Sequence, residues 1–117
     1  MIKNYFFLAL LMLCFSNNSF AQTQLEMNET AHAKYIKTDA ELNKVYKQLI
    51  ALVDKDEKQL LIQAEKDWVK FRESHCKFDA SQYEGGSIQP LIYSTCLEEI
   101  TRKRIAEIKA SIKDRNL

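Results

Sequence analysis

Apolar residues recur at helical spacing along the chain beyond residue 21. A first set is connected by alternating steps of four and three residues, with Thr38 taking one place: Ala31, Tyr35, Thr38, Leu42, Val45, Leu49 and Leu52. A continuous stripe of this kind is typical of a long helix that buries one face. Asn28 is a residue type that caps helix N-termini. The pattern therefore predicts a first long helix that begins near Asn28.

A second stripe follows after a short break. Its members are again three or four residues apart: Leu61, Ala64, Trp68, Phe71 and His75. Asp54 and Glu57 have the spacing of a capping box, which marks the N-terminus of a helix. We therefore expect the second helix to begin beside Asp54, with a short turn before it and an antiparallel arrangement of the two helices.

The remaining segment predicts a loop and a third helix. Residues 79–89 lose the helical period and contain both glycines, Gly85 and Gly86, whereas Pro90 suits the first turn of a helix. The third helix carries a looser stripe: Leu97, Ile100, Ile105, Ile108 and Ile112. No segment alternates apolar and polar residues over strand length. The sequence thus predicts an all-α fold, an elongated antiparallel helical hairpin with a third helix packed on it as a three-helix bundle.

The first 21 residues have the features of a signal peptide. Lys3 precedes an uncharged apolar run over residues 5–15, and Ser19-Phe20-Ala21 matches a signal peptidase site. The run is shorter than the roughly 20 apolar residues that cross a bilayer, and the leucine before Cys14 argues against lipid attachment. Because 117 residues have room for one domain, we expect a single periplasmic or secreted domain over residues 22–117 after cleavage behind Ala21, without stable membrane insertion.

Two cysteines remain after such cleavage. In an oxidising compartment Cys76 and Cys96 are expected to form one disulfide. The loop that it closes corresponds to roughly 3 kcal/mol of stabilisation in the chain-entropy model. A metal site is the alternative, but it lacks ligands at recognisable spacing, since His75 is the only histidine nearby.

The charge balance of the predicted domain limits its partners. Residues 22–117 carry 16 basic and 16 acidic side chains, whereas a protein that grips nucleic acid or anionic lipid usually shows a basic excess. The charge is uneven, however. Residues 73–99 sum to −4 and residues 101–117 sum to +4. The two regions are either ordinary solvated faces or a surface that favours a cationic partner.

Several stretches together resemble a known family. In order, the chain contains Thr23-Gln24-Leu25-Glu26-Met27-Asn28, Asp39-Ala40-Glu41-Leu42-Asn43-Lys44-Val45-Tyr46, Gln63-Ala64-Glu65-Lys66-Asp67-Trp68-Val69-Lys70-Phe71-Arg72-Glu73-Ser74-His75-Cys76, Gly85-Gly86-Ser87, and then Cys96, Thr101 and Arg104. The set is similar to the bacterial LprI-type lysozyme inhibitor N-terminal domain family. The resemblance implies a small exported helical protein of the envelope that inhibits lysozyme. Thr30 stands where many members have a cysteine.

The motif residues also have a structural interpretation. Trp68 and Phe71 lie on the predicted apolar stripe, so we expect core positions rather than ligand contacts. Arg72 lies one turn after Trp68, so its guanidinium could stack on the indole or pair with Asp39 across the hairpin. Asp39 and Asn43 are one turn apart and could form a polar layer that sets the register of the helices.

An enzyme is not indicated. His32 and His75 are the only histidines, and neither has a nucleophile and an orienting acid at recognisable spacing. Asp67 and Glu73 are six residues apart on one helix and point to different sides, whereas a glycosidase needs two carboxyl groups at one cleft. The sequence predicts no catalytic residue, cofactor or metal.

Three functional hypotheses remain. The first is a lysozyme inhibitor whose acidic glycine loop, with Tyr83, Glu84, Gly85 and Gly86 as candidate contacts, meets a cationic enzyme. The second is a periplasmic adaptor or assembly factor that binds another envelope protein through a helix face. The third is a module without a dedicated ligand, in which the glycines merely reverse the chain and Tyr83 covers the end of the bundle. The sequence leaves the oligomeric state open.

Overall fold

The computed structural model of the chain consists of three α-helices and one short 3-10 helix. Helix α1 spans Ile2–Leu52, α2 spans Lys55–Ala80, the 3-10 helix spans Ser81–Tyr83 and α3 spans Gln89–Arg115. The structure describes the backbone of residues 2–116 and the side chains of residues 22–116, and this part of the chain contains no strand. The predicted all-α class is therefore confirmed.

The predicted signal peptide, residues 1–21, lies outside the described side chains. Its cleavage behind Ala21 stays a prediction, as does the domain boundary. Within the described part of the chain, no helix combines the length and the apolarity that crossing a bilayer requires.

The turn between α1 and α2 is made by two residues and closed by the predicted capping box. The Glu57 amide donates to Asp54 Oδ1 at 2.9 Å, and the Asp54 amide donates to Glu57 Oε2 at 3.3 Å. The capping box thus bonds two of the amides that have no partner inside the helix, and this stabilises the sharp reversal of the chain. Helices α1 and α2 are antiparallel, as predicted.

The main core lies between α1 and α3, which run in the same direction. It consists of Leu42, Val45, Leu49, Ile105 and Ile108, with the half-buried Trp68 and Leu61 of α2 packed against it. The α1 stripe is thus confirmed except at Leu52, which is largely exposed. The backbone of α1 comes closest to α3 and approaches α2 at few positions. Large side chains such as Trp68 and Arg72 fill the wider space on the α2 side.

A second, smaller core surrounds the predicted disulfide. Cys76 in α2 and Cys96 in α3 are bonded, with their Cα atoms 5.5 Å apart. Both cysteines are buried together with Leu97, and Tyr35 and Tyr93 pack against them. The disulfide therefore holds the end of α2 against the start of α3 across the glycine segment, as predicted.

The predicted inward face of α2 is confirmed at Leu61 and Trp68 and wrong at Ala64, Phe71 and His75. Phe71 is 56% exposed and stacks on the exposed His75, with ring centroids 5.4 Å apart, and Ala64 also faces solvent. The full set of inward positions is Leu61, Glu65, Trp68, Arg72, Cys76 and Ala80. Their spacing is equally helical, and the disulfide at Cys76 fixes this phase. Polar side chains occupy inward positions because each has a partner on α1 or α3.

Two local expectations are also corrected. Asn28 does not cap a helix, since α1 continues through it, and its amide bonds to the glycine segment instead. The predicted loop over residues 79–89 is shorter than expected, because α2 extends to Ala80, the 3-10 helix follows, and α3 begins at Gln89. Pro90 lies in the first turn of α3, as predicted.

Candidate functional site

The central polar feature of the bundle is Arg72, which is only 5% exposed. Its Nη1 donates to Asp39 Oδ1 at 2.7 Å and to Thr101 Oγ1 at 3.0 Å. Thr101, which is fully buried, in turn donates to the Leu97 carbonyl at 2.6 Å. Arg72 therefore connects all three helices, and the predicted pairing with Asp39 is present.

Two arginines contact the faces of aromatic rings in the same region. The Arg72 guanidinium lies 4.9 Å from the Trp68 ring centroid and 5.4 Å from that of Tyr35, and Arg104 lies 5.7 Å from the Trp68 centroid. Arg104 also donates to Glu65 at 2.9 Å. Such contacts stabilise a buried cation by roughly 1–2 kcal/mol each. Trp68 is thus held by packing and by two cations, which agrees with its predicted structural role.

Burial and charge shift the pKa values of this cluster. Burial raises the pKa of the Tyr35 phenol, and the carboxylate of Asp39 adds to the rise against the opposing effect of Arg72. Burial alone would lower the pKa of Arg104, but its hydrogen bonds to Glu65 and Glu107 outweigh this effect and raise it. Both groups are therefore held more firmly in their protonated forms than in water.

A second buried polar pair lies outside the residues predicted from the sequence, and one predicted member of the network is absent from it. Thr38 donates to Glu98 Oε1 at 3.1 Å, and Glu98, only 4% exposed, is also paired with Arg102. The sole signal for this pair was a threonine on the α1 stripe. Asn43, predicted to form a polar layer with Asp39, is exposed and takes no part in the network.

In contrast to the buried polar network, the candidate partner-binding segment is an exposed turn at one end of the bundle. Tyr83 is 41% exposed, and Glu84, Gly85 and Gly86 are exposed as well. Gly85 has a φ of +76°, a left-handed conformation that favours glycine. A Cβ atom on Gly86 would lie 3.1 Å from the Tyr83 carbonyl oxygen, so the second glycine allows a close backbone contact.

Several hydrogen bonds hold this turn in place. The Glu84 amide donates to the Ser81 carbonyl at 3.2 Å, and the Gly86 amide donates to the Tyr83 carbonyl at 2.9 Å. The side chain of Asn28 in α1 donates to the Ser87 carbonyl at 3.0 Å. Together with the disulfide, these bonds limit the freedom of the turn, so a partner would meet a largely preformed surface.

Within the described residues, no group of three or more His, Cys, Asp or Glu side chains could hold a metal ion. The half-buried carboxylate of Asp39 and the buried carboxylate of Glu98 are each paired with an arginine. The polar interior therefore stabilises and aligns the helices, while the role of the exposed turn as a contact surface stays a prediction.

Comparisons with known proteins identify relatives of this chain. The model of the family described as "Lysozyme inhibitor LprI" matches residues 14–108. The chain is also similar to "Uncharacterized protein R02472" of Rhizobium meliloti (strain 1021), with 34% identity over an alignment that covers 76% of this chain and 73% of the relative. No solved structure matches.

Proposed function

Since the chain belongs to the lysozyme inhibitor LprI family, we propose that it is an exported, non-enzymatic protein that binds lysozyme and inhibits it in the bacterial envelope. The observation that carries this proposal is the family match, which spans most of the chain. Export is supported by the features of residues 1–21 and by a disulfide of the kind that persists in oxidising compartments.

The contact surface proposed for lysozyme is the turn formed by Tyr83, Glu84, Gly85 and Gly86. It is exposed, it is constrained by Asn28 and by the disulfide, and it lies in the acidic part of the sequence. An aromatic ring beside a carboxylate suits an enzyme cleft lined by cationic groups, because opposite charge speeds encounter and a preformed turn lowers the cost of ordering.

A hollow beside the turn adds to this surface. It has a volume of ≈ 520 Å³ and lies between the end of α2 and the start of α3, and its lining includes Ala80, Pro90 and Tyr93 together with Glu84 and Lys77. Because one acid and one base line it, its apolar residues rather than its charge would accept a side chain of the partner.

The inhibition assay uses purified exported protein, lysozyme and a peptidoglycan substrate. The double change Tyr83→Ala, Glu84→Lys is expected to weaken inhibition by roughly tenfold or more, about 1.4 kcal/mol. Both side chains are exposed, so helical content and melting temperature should barely change. A matched control is Phe71→Ala, Glu73→Lys, which removes an exposed aromatic ring and reverses one negative charge at two exposed positions of α2.

The outcomes separate the hypotheses. Loss of inhibition in the turn variant alone supports the turn as the contact surface. Loss in the control alone would place the contact on α2. Absence of inhibition by the unmodified protein would favour the second candidate function, an adaptor for another envelope protein.

One observation favours that second candidate. The outer face of α2 carries three large apolar side chains in water, since Leu60 and Phe78 are 73% exposed and Phe71 is 56% exposed. Exposed apolar side chains along one helix face are a common form of protein contact surface. Capture of a specific envelope protein by the unmodified chain, lost in Phe71→Ala, Phe78→Ala, would identify this function.

A further inference from the structure

An open groove runs between α1 and α2, whose backbones approach each other at few positions. It has a volume of ≈ 670 Å³, and Leu42, Ile62 and Val69 provide apolar walls. Asn43 lines it from α1, and Lys66 and Lys70 line it from α2. This volume is within the range of ligand-binding sites.

The charges of the groove favour an anionic ligand. Two acids reach it, but each is already neutralised by an arginine from inside the bundle, Asp39 by Arg72 at 2.7 Å and Glu65 by Arg104 at 2.9 Å. Lys66 and Lys70 are exposed, and neither forms an ion pair within the described part of the chain. The groove therefore presents two unneutralised positive charges one helical turn apart.

Unused hydrogen-bonding groups lie at the same place. The side-chain amide of Asn43 is exposed and has no partner among the described residues. Arg72 also lines the groove, but its unpartnered Nε is buried and is not accessible to a ligand. The Asn43 side chain can therefore bond an added group at the groove.

The shape of the groove favours an extended ligand. Its α2 wall runs from Ile62 to Arg72, which corresponds to about 15 Å at the rise of an α-helix. A chain of four or five residues in extended conformation, at about 3.3 Å per residue, covers this length. Apolar walls below two lysines would then receive alternate side chains of such a segment.

We propose that the α1–α2 groove binds an extended, carboxylate-bearing peptide segment of another protein, with its acidic side chains on Lys66 and Lys70 and its apolar side chains against Ile62 and Val69. The site is separate from the acidic turn at Tyr83, which would repel such a segment. It therefore adds a binding activity that does not depend on lysozyme.

The probe is a fluorescein-labelled hexapeptide of alternating glutamate and leucine, titrated against purified protein by fluorescence anisotropy. We expect saturable binding that weakens as salt is raised. The same peptide with glutamine in place of glutamate should have an affinity lower by roughly tenfold or more. Lys66→Glu, Lys70→Glu should also reduce the affinity by roughly tenfold or more.

The control variant is Lys44→Glu, Lys47→Glu. It reverses two exposed α1 lysines that also lack ion pairs and lie outside the groove, and so it changes the net charge by the same amount. This control should keep the affinity of the unmodified protein, and circular dichroism should show that both variants fold.

Four results would overturn the proposal. They are absence of saturation up to about 1 mM peptide, equal binding of the glutamine peptide, equal weakening by both double variants, and competition by citrate as effective as competition by the unlabelled peptide. The last would point to a small organic acid. Displacement of a self-associated form by the peptide, seen in sedimentation, would instead identify a second copy of this chain as the occupant.

Discussion

Removal of the Asp39 carboxylate is expected to destabilise the protein more than removal of the whole Asp39–Arg72 pair. Arg72 is 5% exposed, so Asp39→Ala leaves a buried guanidinium without its counter-ion. Breaking a buried pair from one side typically costs about 3–5 kcal/mol. Because the Asp39 side chain is 30% exposed, water can enter the vacated space, and we expect a cost of about 3 kcal/mol, the lower end of that range.

The double change Asp39→Ala, Arg72→Met removes the buried charge as well. Methionine fills much of the space beside Trp68. The double variant loses the ring contacts and the bond to Thr101, but it also removes the desolvation cost of the buried guanidinium, so the net loss is about 1–2 kcal/mol. Thr101 still donates to the Leu97 carbonyl. The double variant should therefore be more stable than Asp39→Ala by about 1 kcal/mol.

The measurement is urea unfolding of the oxidised proteins, followed by far-ultraviolet circular dichroism, with the midpoint and the m-value fitted together. Glu41→Ala is the matched control, because Glu41 lies on the same helix as Asp39 and forms an exposed ion pair with Lys109 of α3. Its loss should cost less than about 1 kcal/mol. A cost for Asp39→Ala no larger than for this control would refute the reasoning. So would a double variant less stable than Asp39→Ala.

Three further predictions concern the core, the disulfide and alkaline pH. Trp68→Ala should lower the free energy of unfolding by about 3 kcal/mol, whereas Phe71→Ala, at a site 56% exposed, should cost below about 1 kcal/mol by the same urea assay. Removing the disulfide with Cys76→Ala, Cys96→Ala should cost about 3 kcal/mol, and a thermal midpoint equal to that of the oxidised protein would contradict this. Since burial raises the pKa of Tyr35, its phenol is neutral in both states below about pH 10, and as pH rises further the unfolded phenol ionises first, so stability falls. Tyr35→Phe should reduce this alkaline loss in melting curves taken above pH 10, and an identical slope would exclude Tyr35 as its source.

Local sequence features predicted the elements of this fold. The capping box at Asp54 and Glu57, and Pro90 in the first turn of α3, act through contacts between residues a few positions apart, so the local sequence is enough to place them. The disulfide was predictable because only two cysteines follow the predicted signal peptide. The pairing of Arg72 with Asp39 could be anticipated because the two opposite charges face each other across the predicted antiparallel helical hairpin.

The candidate contact turn was predictable in its location but not in its geometry. Two glycines and a lost period marked the segment around Tyr83 and Glu84. Its anchoring by Asn28, 59 residues away in sequence from Ser87, depends on how α1 lies beside the start of α3. Such a contact leaves no local pattern. Because Asn is a common capping residue, the local sequence predicts a helix cap at Asn28 instead of this contact.

The sequence by itself determined the helical class, the order of the elements and the spacing of the buried positions. Only the tertiary structure decided which side of α2 faces inward, because a 3.6-residue period sets the distance between buried positions but not their phase. The phase follows from the disulfide at Cys76 and from partners on other helices, which satisfy Arg72 and Glu65 inside and leave Phe71 in water. The groove between α1 and α2 has the same origin, since large inward side chains keep the two backbones apart.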